Sequence, residues 1–257
     1  MKKIAKTAIG RCIIPVAERV PKSRRFLRAL GLRTSRGLFG KRTISIEVSD
    51  RRPFRLTHVD ESYLAFQLFW LGGQFYEPIT RTLLEALFRP GDTFLDIGAH
   101  VGFFSLTAGL SLPGVKVIAF EPNPKNFRIL QANAAANGLA NIVCEPIAIS
   151  DTDGTGTLYL TESDMSASLM KDFQAEDTEQ IGSIEVSTSS LDSYFQRRGI
   201  DGPVLIKVDM EGHEPAFFRG AAQTIAKQKP DIILEVLYEQ PPDLIGASNH
   251  CVIVFIR

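Results

Sequence analysis

Cysteine is scarce in this chain of 257 residues: Cys12, Cys144 and Cys251 are the only three. Their number is odd and no pair has metal-ligand spacing, which argues against a disulfide framework and a zinc site and fits free thiols in a reducing cytoplasm. Long apolar runs are also missing; none approaches the ~20 residues that span a bilayer. Lys6, Arg11 and Glu18 interrupt the first apolar stretch, so it does not read as a secretory signal. There is no internal repeat and no low-complexity tract. What remains, 44% hydrophobic and 23% charged residues, is the composition of a folded chain rather than a disordered one. At ~100–200 residues per domain, the length implies one large domain, or one domain plus a small extension.

Net charge is zero but unevenly spread. Residues 1–42 hold 13 Lys and Arg and a single acid, Glu18, so a basic arm of +12 precedes a body of −12. An acidic body is a poor match for a phosphate backbone, and no nucleic-acid partner is expected. In the arm, Ile4, Ala5, Ala8, Ile9, Cys12, Ile13, Val16 and Ala17 fit one face of a helix, with Pro15 against its continuity. Two readings stand: an extension that packs on the body or frays, and a segment that lies on an anionic membrane surface. The expected location is the cytoplasm, with peripheral attachment to membrane under the second reading.

In the body, Thr43–Val48 and Phe54–Val59 read as strands, and Tyr76–Phe88 as a helix with Pro78 in its first turn. A strand–helix alternation follows. Strands are expected over Thr93–Ile97, Val115–Phe120, Ile142–Ile149, Pro203–Val208 and Asp231–Val236. Helices are expected over Gly102–Leu110, from Pro124 to the Asn137-Gly138 stop, and over Pro215–Gln228. Apolar strands alternating with helices predict an α/β fold with a mostly parallel sheet covered on both faces. Residues 151–200 break the pattern and read as an insertion, with strands at Thr157–Leu160 and Ile184–Ser187 and a mobile loop between about 161 and 182.

The segment from Phe94 to Phe103 carries the most information. A strand ending in Asp96 and Ile97 runs into a turn, Gly98-Ala99-His100-Val101-Gly102, and then a helix. Gly98 permits the turn and Gly102 a close approach at the helix start. Glu121 ends the next strand, where an acid can take both hydroxyls of a ribose. The G-x-G-x-x-G fingerprint is absent, because His100 stands where the middle glycine would let a pyrophosphate approach. A ligand without phosphates has no such need. S-adenosylmethionine has a ribose and an adenine, no phosphate, and a cationic sulfonium and ammonium that suit Asp96 and an acidic strand rim.

Asp96-Ile-Gly-Ala-His-Val-Gly102, Ala119-Phe-Glu-Pro-Asn-Pro124 and Asn137-Gly138 resemble the motifs of class I S-adenosylmethionine-dependent methyltransferases. Ser190-Leu-Asp-Ser-Tyr-Phe195, Leu205-Ile-Lys-Val-Asp-Met-Glu-Gly-His-Glu214 and Phe218-Arg-Gly220 resemble the FkbM family within that class, named for a macrolide O-methyltransferase. The resemblance runs over residues 74–236 of a domain taken as 43–257. It implies a Rossmann-like doubly wound sheet of seven strands, with cofactor at the ends of the first strands. It places Asp96, Gly98 and Gly102 around the methionine part, Glu121 at the ribose, and Ala148 and Ser150 near adenine, with Ala99, His100 and Asn123 as further cofactor-binding candidates. Tyr76 and Glu77 match a Tyr-Glu-Pro motif expected to close over the cofactor. His100 and His213 depart from the family pattern. After Val236 only Cys251–Ile256 reads as a strand, so a shortened or rearranged C-terminal half of the sheet is expected.

Lys207 and Asp209 alternate onto one face of their strand. A lysine in a covered strand needs a partner, and Asp96 or Glu235 is expected to be it. Asp209, Glu211, His213 and Glu214 gather at the strand's carboxyl end, where ligands bind in such sheets. Acids there also suit the helix that starts at Pro215, a sufficient reason for Glu211 and Glu214. For methyl transfer to a hydroxyl, Asp209 or His213 would serve as the base, with Glu211 a further catalytic candidate beside them. Alternatively, Asp209 with Glu211 or Glu214 would hold a divalent ion that acidifies the hydroxyl. The expected activity is O-methylation of a small-molecule or glycan acceptor: a sugar, a glycolipid or a secondary metabolite. The alternatives are a nicotinamide-dependent oxidoreductase and a non-catalytic Rossmann-like module docked to membrane through residues 1–42.

Overall fold

The computed structural model describes residues 43–48, 52–111, 114–161, 167–171, 179–238 and 250–256. The basic arm, and with it the membrane-surface reading, lies outside the described residues. No helix among those described is long and apolar enough to cross a membrane. The chain divides into two compact units, residues 1–78 and 79–257.

In the first unit, β1 (Ile44–Ile46) pairs antiparallel with β2 (Phe54–Leu56). Both strands alternate buried and exposed residues, as a sheet with one solvated face requires. Helix α1 (Tyr63–Leu71) was not anticipated from the sequence. It begins at Ser62, whose hydroxyl accepts the Ala65 N–H as an N-cap.

The second unit carries the α/β alternation. Its elements are α2 (Pro78–Leu87), β3 (Thr93–Ile97), α3 (Phe103–Ser111), β4 (Lys116–Phe120), α4 (Pro124–Ala136), β5 (Ile142–Glu145), β6 (Ala148–Ser150), β7 (Gly154–Thr161), β8 (Gln180–Ser190), α5 (Leu191–Arg198), β9 (Val204–Val208), α6 (Glu214–Gly220), α7 (Ala222–Gln228), β10 (Asp231–Tyr238) and β11 (His250–Ile256). The main sheet has the order β11-β10-β9-β3-β4-β5, six strands among the described residues rather than seven. Every pairing is parallel except β10 with β11. The mostly parallel, Rossmann-like sheet is thus as expected, with its C-terminal end closed by one antiparallel strand.

Two elements that the sequence reading ran together are divided, and the insertion strand expected over Ile184–Ser187 extends over Gln180–Ser190 into helix α5, which was not expected. The strand expected over Ile142–Ile149 is broken at Pro146, which lacks the N–H a ladder requires. Its second part, β6, joins a separate sheet of order β6-β8-β7. The helix expected over Pro215–Gln228 is two helices, α6 and α7, divided at Ala221.

β3 and β9 are buried along their whole length. Leu95, Ile97, Ile206 and Val208 face a core shared with Leu191, Phe195, Phe217 and Ala221. The alternate residues look the other way, where Phe94 meets Phe88 edge-on and Lys207 lies over the Phe104 ring, 4.9 Å from its centroid. From β3 the chain proceeds to β4 and β5 on one side and later returns to β9 and β10 on the other. β3 and β9 therefore flank the switch point of the sheet, and the crevice beyond their carboxyl ends is where open α/β sheets bind ligands.

Candidate functional site

Three turns meet at that crevice. The first leaves β3. Gly98 has φ +81° and Gly102 φ +91°, and His100 between them also lies in the left-handed region at φ +52°. The N–H groups of Gly98 and Ala99 both donate to the Phe120 carbonyl, at 3.1 and 2.9 Å. Gly102 is required twice, because a Cβ there would also meet Leu130 Cδ1 at 2.5 Å.

The second turn leaves β4 and is organised by Glu121. One carboxylate oxygen accepts the His100 N–H at 2.7 Å and the other accepts the Asn123 N–H at 2.9 Å. A buried acid thus braces the β3 turn against the β4 turn. Burial pushes its carboxyl up to about 7, against the pull of these two hydrogen bonds. Asn123 in turn caps α4 by accepting the Lys125 N–H at 3.0 Å. Beneath, Asp96 is 1% exposed and accepts the Ser105 hydroxyl at 2.5 Å through Oδ2. Its Oδ1 is buried with no hydrogen-bond partner. Burial raises its proton affinity, and Lys207, its register partner on β9, opposes the rise.

The third turn leaves β9 and holds the acids. Lys207 is 2% exposed and forms an ion pair with Asp209 at 3.0 Å. Asp209 was not foreseen as a partner along the strand; the expectation named Glu235 or Asp96, and Asp96 faces Lys207 in the β3–β9 register. Glu211 has φ +51° and Gly212 φ +94°. Glu214 folds back on its own loop, accepting the Met210 and Gly212 N–H groups at 3.3 and 3.1 Å. One oxygen of Glu211 is buried without a hydrogen-bond partner. Burial, then Asp209, Glu235 and Glu214, hold its carboxyl well above the usual range, with Lys207 opposing. Of the candidate metal set Asp209, Glu211 and Glu214, two members thus spend oxygens on internal partners.

His213 turns away from the acids. Its Nε2 lies 2.9 Å from Ser150 Oγ at the end of β6. Burial lowers its proton affinity, while Asp151 and Arg219 act on it in opposite senses. Ala148 and Ser150 are both buried on β6. Tyr76 and Glu77 belong to the first unit, where Glu77 has φ +36°. The remaining sequence candidates share the second unit.

Sequence reasoning missed two participants, Ser105 and Ser168. Ser105 is an ordinary helix residue until β3 brings Asp96 under it. Glu235, named from the sequence only as a partner for Lys207, has a carboxylate oxygen within 4.8 Å of one of Asp209. Ser168 lies in the stretch read as a mobile loop, yet its hydroxyl donates to the Glu211 carbonyl at 2.7 Å.

The model of the methyltransferase FkbM domain matches residues 96–252, more than half of the chain. The chain belongs to the FkbM methyltransferase family. It is 32% identical over 173 residues to the 31-O-demethyl-FK506 methyltransferase FkbM of Streptomyces tacrolimicus, covering 58% of this chain and 66% of that protein. It is 25% identical over 150 residues to the hexuronic acid methyltransferase AglP of Haloferax volcanii, covering 58% of this chain and 57% of that protein. The matches therefore span somewhat under two thirds of these relatives. A solved FkbM methyltransferase from Methylobacillus flagellatus KT superposes with TM-score 0.38 at 19% identity, over 63% of this chain and 36% of that one. The FkbM match begins at Asp96 and takes in all three turns of the crevice.

Proposed function

We propose that this FkbM-family chain is an S-adenosylmethionine-dependent methyltransferase acting on a hydroxyl group of a sugar, glycolipid or secondary metabolite. The observation that carries the reading is the meeting of the β3 turn, braced by Glu121, with the acidic β9 turn across the switch point. The relatives support it: one bears a name for a methyltransferase of a demethylated macrolide oxygen, the other for a methyltransferase of hexuronic acid.

The donor set fits the cofactor's chemistry. The buried, unpartnered Asp96 Oδ1 and the Glu121 carboxylate offer acceptors to a cationic ligand. Asp96, the turn from Gly98 to Gly102, and Glu121 would hold the cofactor, with Ala148 and Ser150 on its adenine side. Bound there, it supplies a sulfonium-activated methyl group. The chain's own work is then positioning and proton removal. Holding the acceptor oxygen in line supplies much of the rate. Asp209 stands at the β9 end as the base for the hydroxyl proton, with Lys207 fixing its orientation. His213 is held by Ser150, on the side assigned to adenine, and is the weaker candidate for base.

Calorimetric titration of S-adenosylmethionine and S-adenosylhomocysteine, followed by transfer of labelled methyl to a panel of glycans and polyols, tests the reading. Micromolar affinity, about −8 kcal/mol, and label on an acceptor oxygen are expected. A folded protein that binds neither compound would overturn it in favour of a non-catalytic module. Binding of a nicotinamide dinucleotide instead would favour an oxidoreductase.

A further inference from the structure

Ser168 of the β7–β8 insertion reaches the acidic turn. Ser168 is 4% exposed and lies outside every motif that points to the cofactor. It bridges to Tyr159 on β7 by two backbone hydrogen bonds, Tyr159 N–H to its carbonyl at 2.8 Å and its own N–H to the Tyr159 carbonyl at 3.1 Å. Its hydroxyl accepts the Met170 N–H at 3.0 Å and donates to the Glu211 carbonyl at 2.7 Å. Its neighbours Ala167 and Leu169 pack on the small core of Ala148, Leu158 and Val186. Ser168 is therefore fixed from four directions before it reaches the turn.

That turn needs an external hold. Glu211, a residue with a Cβ, and Gly212 are both left-handed there, at φ +51° and +94°. A non-glycine residue keeps such a conformation only where its surroundings impose it. Glu214 secures the N–H side of the turn through Met210 and Gly212. On the carbonyl side, Ser168 is the donor to Glu211.

We propose that Ser168 is a positioning residue that fixes the Glu211 turn, so that the β7–β8 insertion sets the geometry of the acceptor-side acids. The insertion is thereby part of the reaction centre, and acceptor chemistry that reshapes it acts on Asp209 and Glu211 through the Ser168–Glu211 hydrogen bond. The assignment of these acids to the acceptor side rests on the proposed methyltransferase reading; the mechanical link does not.

Hydrogen exchange on the full chain, with Ser168→Ala and Ser168→Thr, separates the two. In Ser168→Ala, amides 210–213 are expected to exchange about fivefold faster or more, the factor that one hydrogen bond is worth. Ser168→Thr, which keeps the hydroxyl, should return them to within about twofold. Protection of the β3 amides should stay unchanged in both. Unchanged exchange at 210–213 in Ser168→Ala, failure of Thr to restore it, or equal loss of protection in β3 would each overturn the proposal. Titration of S-adenosylmethionine into the same proteins reports on the reading independently: no binding to wild type sinks the reading and leaves the exchange result standing. With an acceptor that wild type methylates, Ser168→Ala should lower kcat about fivefold while the cofactor Kd holds; a change confined to the cofactor Kd would place Ser168 on the wrong side of the site.

Discussion

A Cβ placed on Gly98 would lie 1.9 Å from the carbonyl oxygen of Asp209. The turn that leaves β3 and the turn that leaves β9 are thus in backbone contact, and Asp209 N–H also donates to the Ile97 carbonyl at 3.1 Å. Gly98→Ala meets both this clash and a φ of +81°. It should cost about 3 kcal/mol or more of stability and abolish cofactor binding. Gly138→Ala is the control: its φ is +67°, with nothing within 4 Å of the added Cβ. It should cost only about 1 kcal/mol, the ordinary penalty of the left-handed region. Urea unfolding of both variants measures the difference, and equal losses would show that the close approach is not a constraint.

Glu121 predicts a pH dependence. Its carboxyl is raised to about 7 in the folded chain, against an ordinary value of 4.5. The folded state therefore binds more protons than the unfolded state between these values. Stability should fall as pH rises from about 4.5 to 7 and be level above, by an amount of order 3 kcal/mol at most. Glu121→Gln should flatten that part of the curve. Binding of a cationic cofactor beside this carboxyl favours its ionised form. Affinity should rise through the same window, and calorimetry in buffers of different ionisation enthalpy should detect proton release near pH 6. Proton uptake there would contradict the assignment of Glu121.

The site was legible in the sequence wherever one short segment carries both conformation and chemistry. Gly98, Gly102 and Glu121 belong to such segments, since a strand, a turn and a helix start are written within a few residues. The breaks at Pro146 and Ala221 were less visible, because apolar composition continues on both sides of each. Contacts between distant segments left no local trace at all. Ser105 under Asp96 and Ser168 on Glu211 depend on which segments become neighbours. Lys207 illustrates the intermediate case: period-two alternation puts it on one face with Asp209, yet either a cross-strand acid or this one would have satisfied its charge.

That lysine is itself a prediction. Lys207 lies buried among carboxylates that burial has already pushed toward their protonated forms, Asp96 and Glu211 above all. Lys207→Met keeps most of the volume and removes a charge that offsets them. At neutral pH the loss should be about 3–5 kcal/mol, the range for breaking a buried pair. The unfolded chain ionises its carboxylates at ordinary values, whereas the variant's folded state resists doing so. The deficit should therefore shrink as pH falls toward about 4, where both states are protonated. Denaturant midpoints for wild type and variant across pH 4–8 measure it; a deficit independent of pH would assign Lys207 a packing role against Phe104 instead.

Asp209 and His213 divide between them the two tasks proposed for the β9 turn, and kinetics can tell them apart. Asp209 is fixed by Lys207 at the end of the strand, whereas His213 is drawn to Ser150 on β6. If Asp209 takes the proton, Asp209→Asn should lower kcat by about 10²–10⁴-fold, the span of general-base contributions, and leave the cofactor Kd nearly unchanged. His213→Ala removes a contact to the adenine side and should weaken cofactor binding several-fold with a smaller effect on kcat. Burial favours the neutral form of His213; with Asp209 as the base, removing His213 should leave in place the acidic limb of the pH–rate profile, which reports the base. Isothermal titration and single-turnover transfer on the two variants separate binding from chemistry. A collapse of kcat in His213→Ala with intact binding, together with an active Asp209→Asn, would transfer the base from the acid to the imidazole and require the Ser150 hydrogen bond to break during turnover.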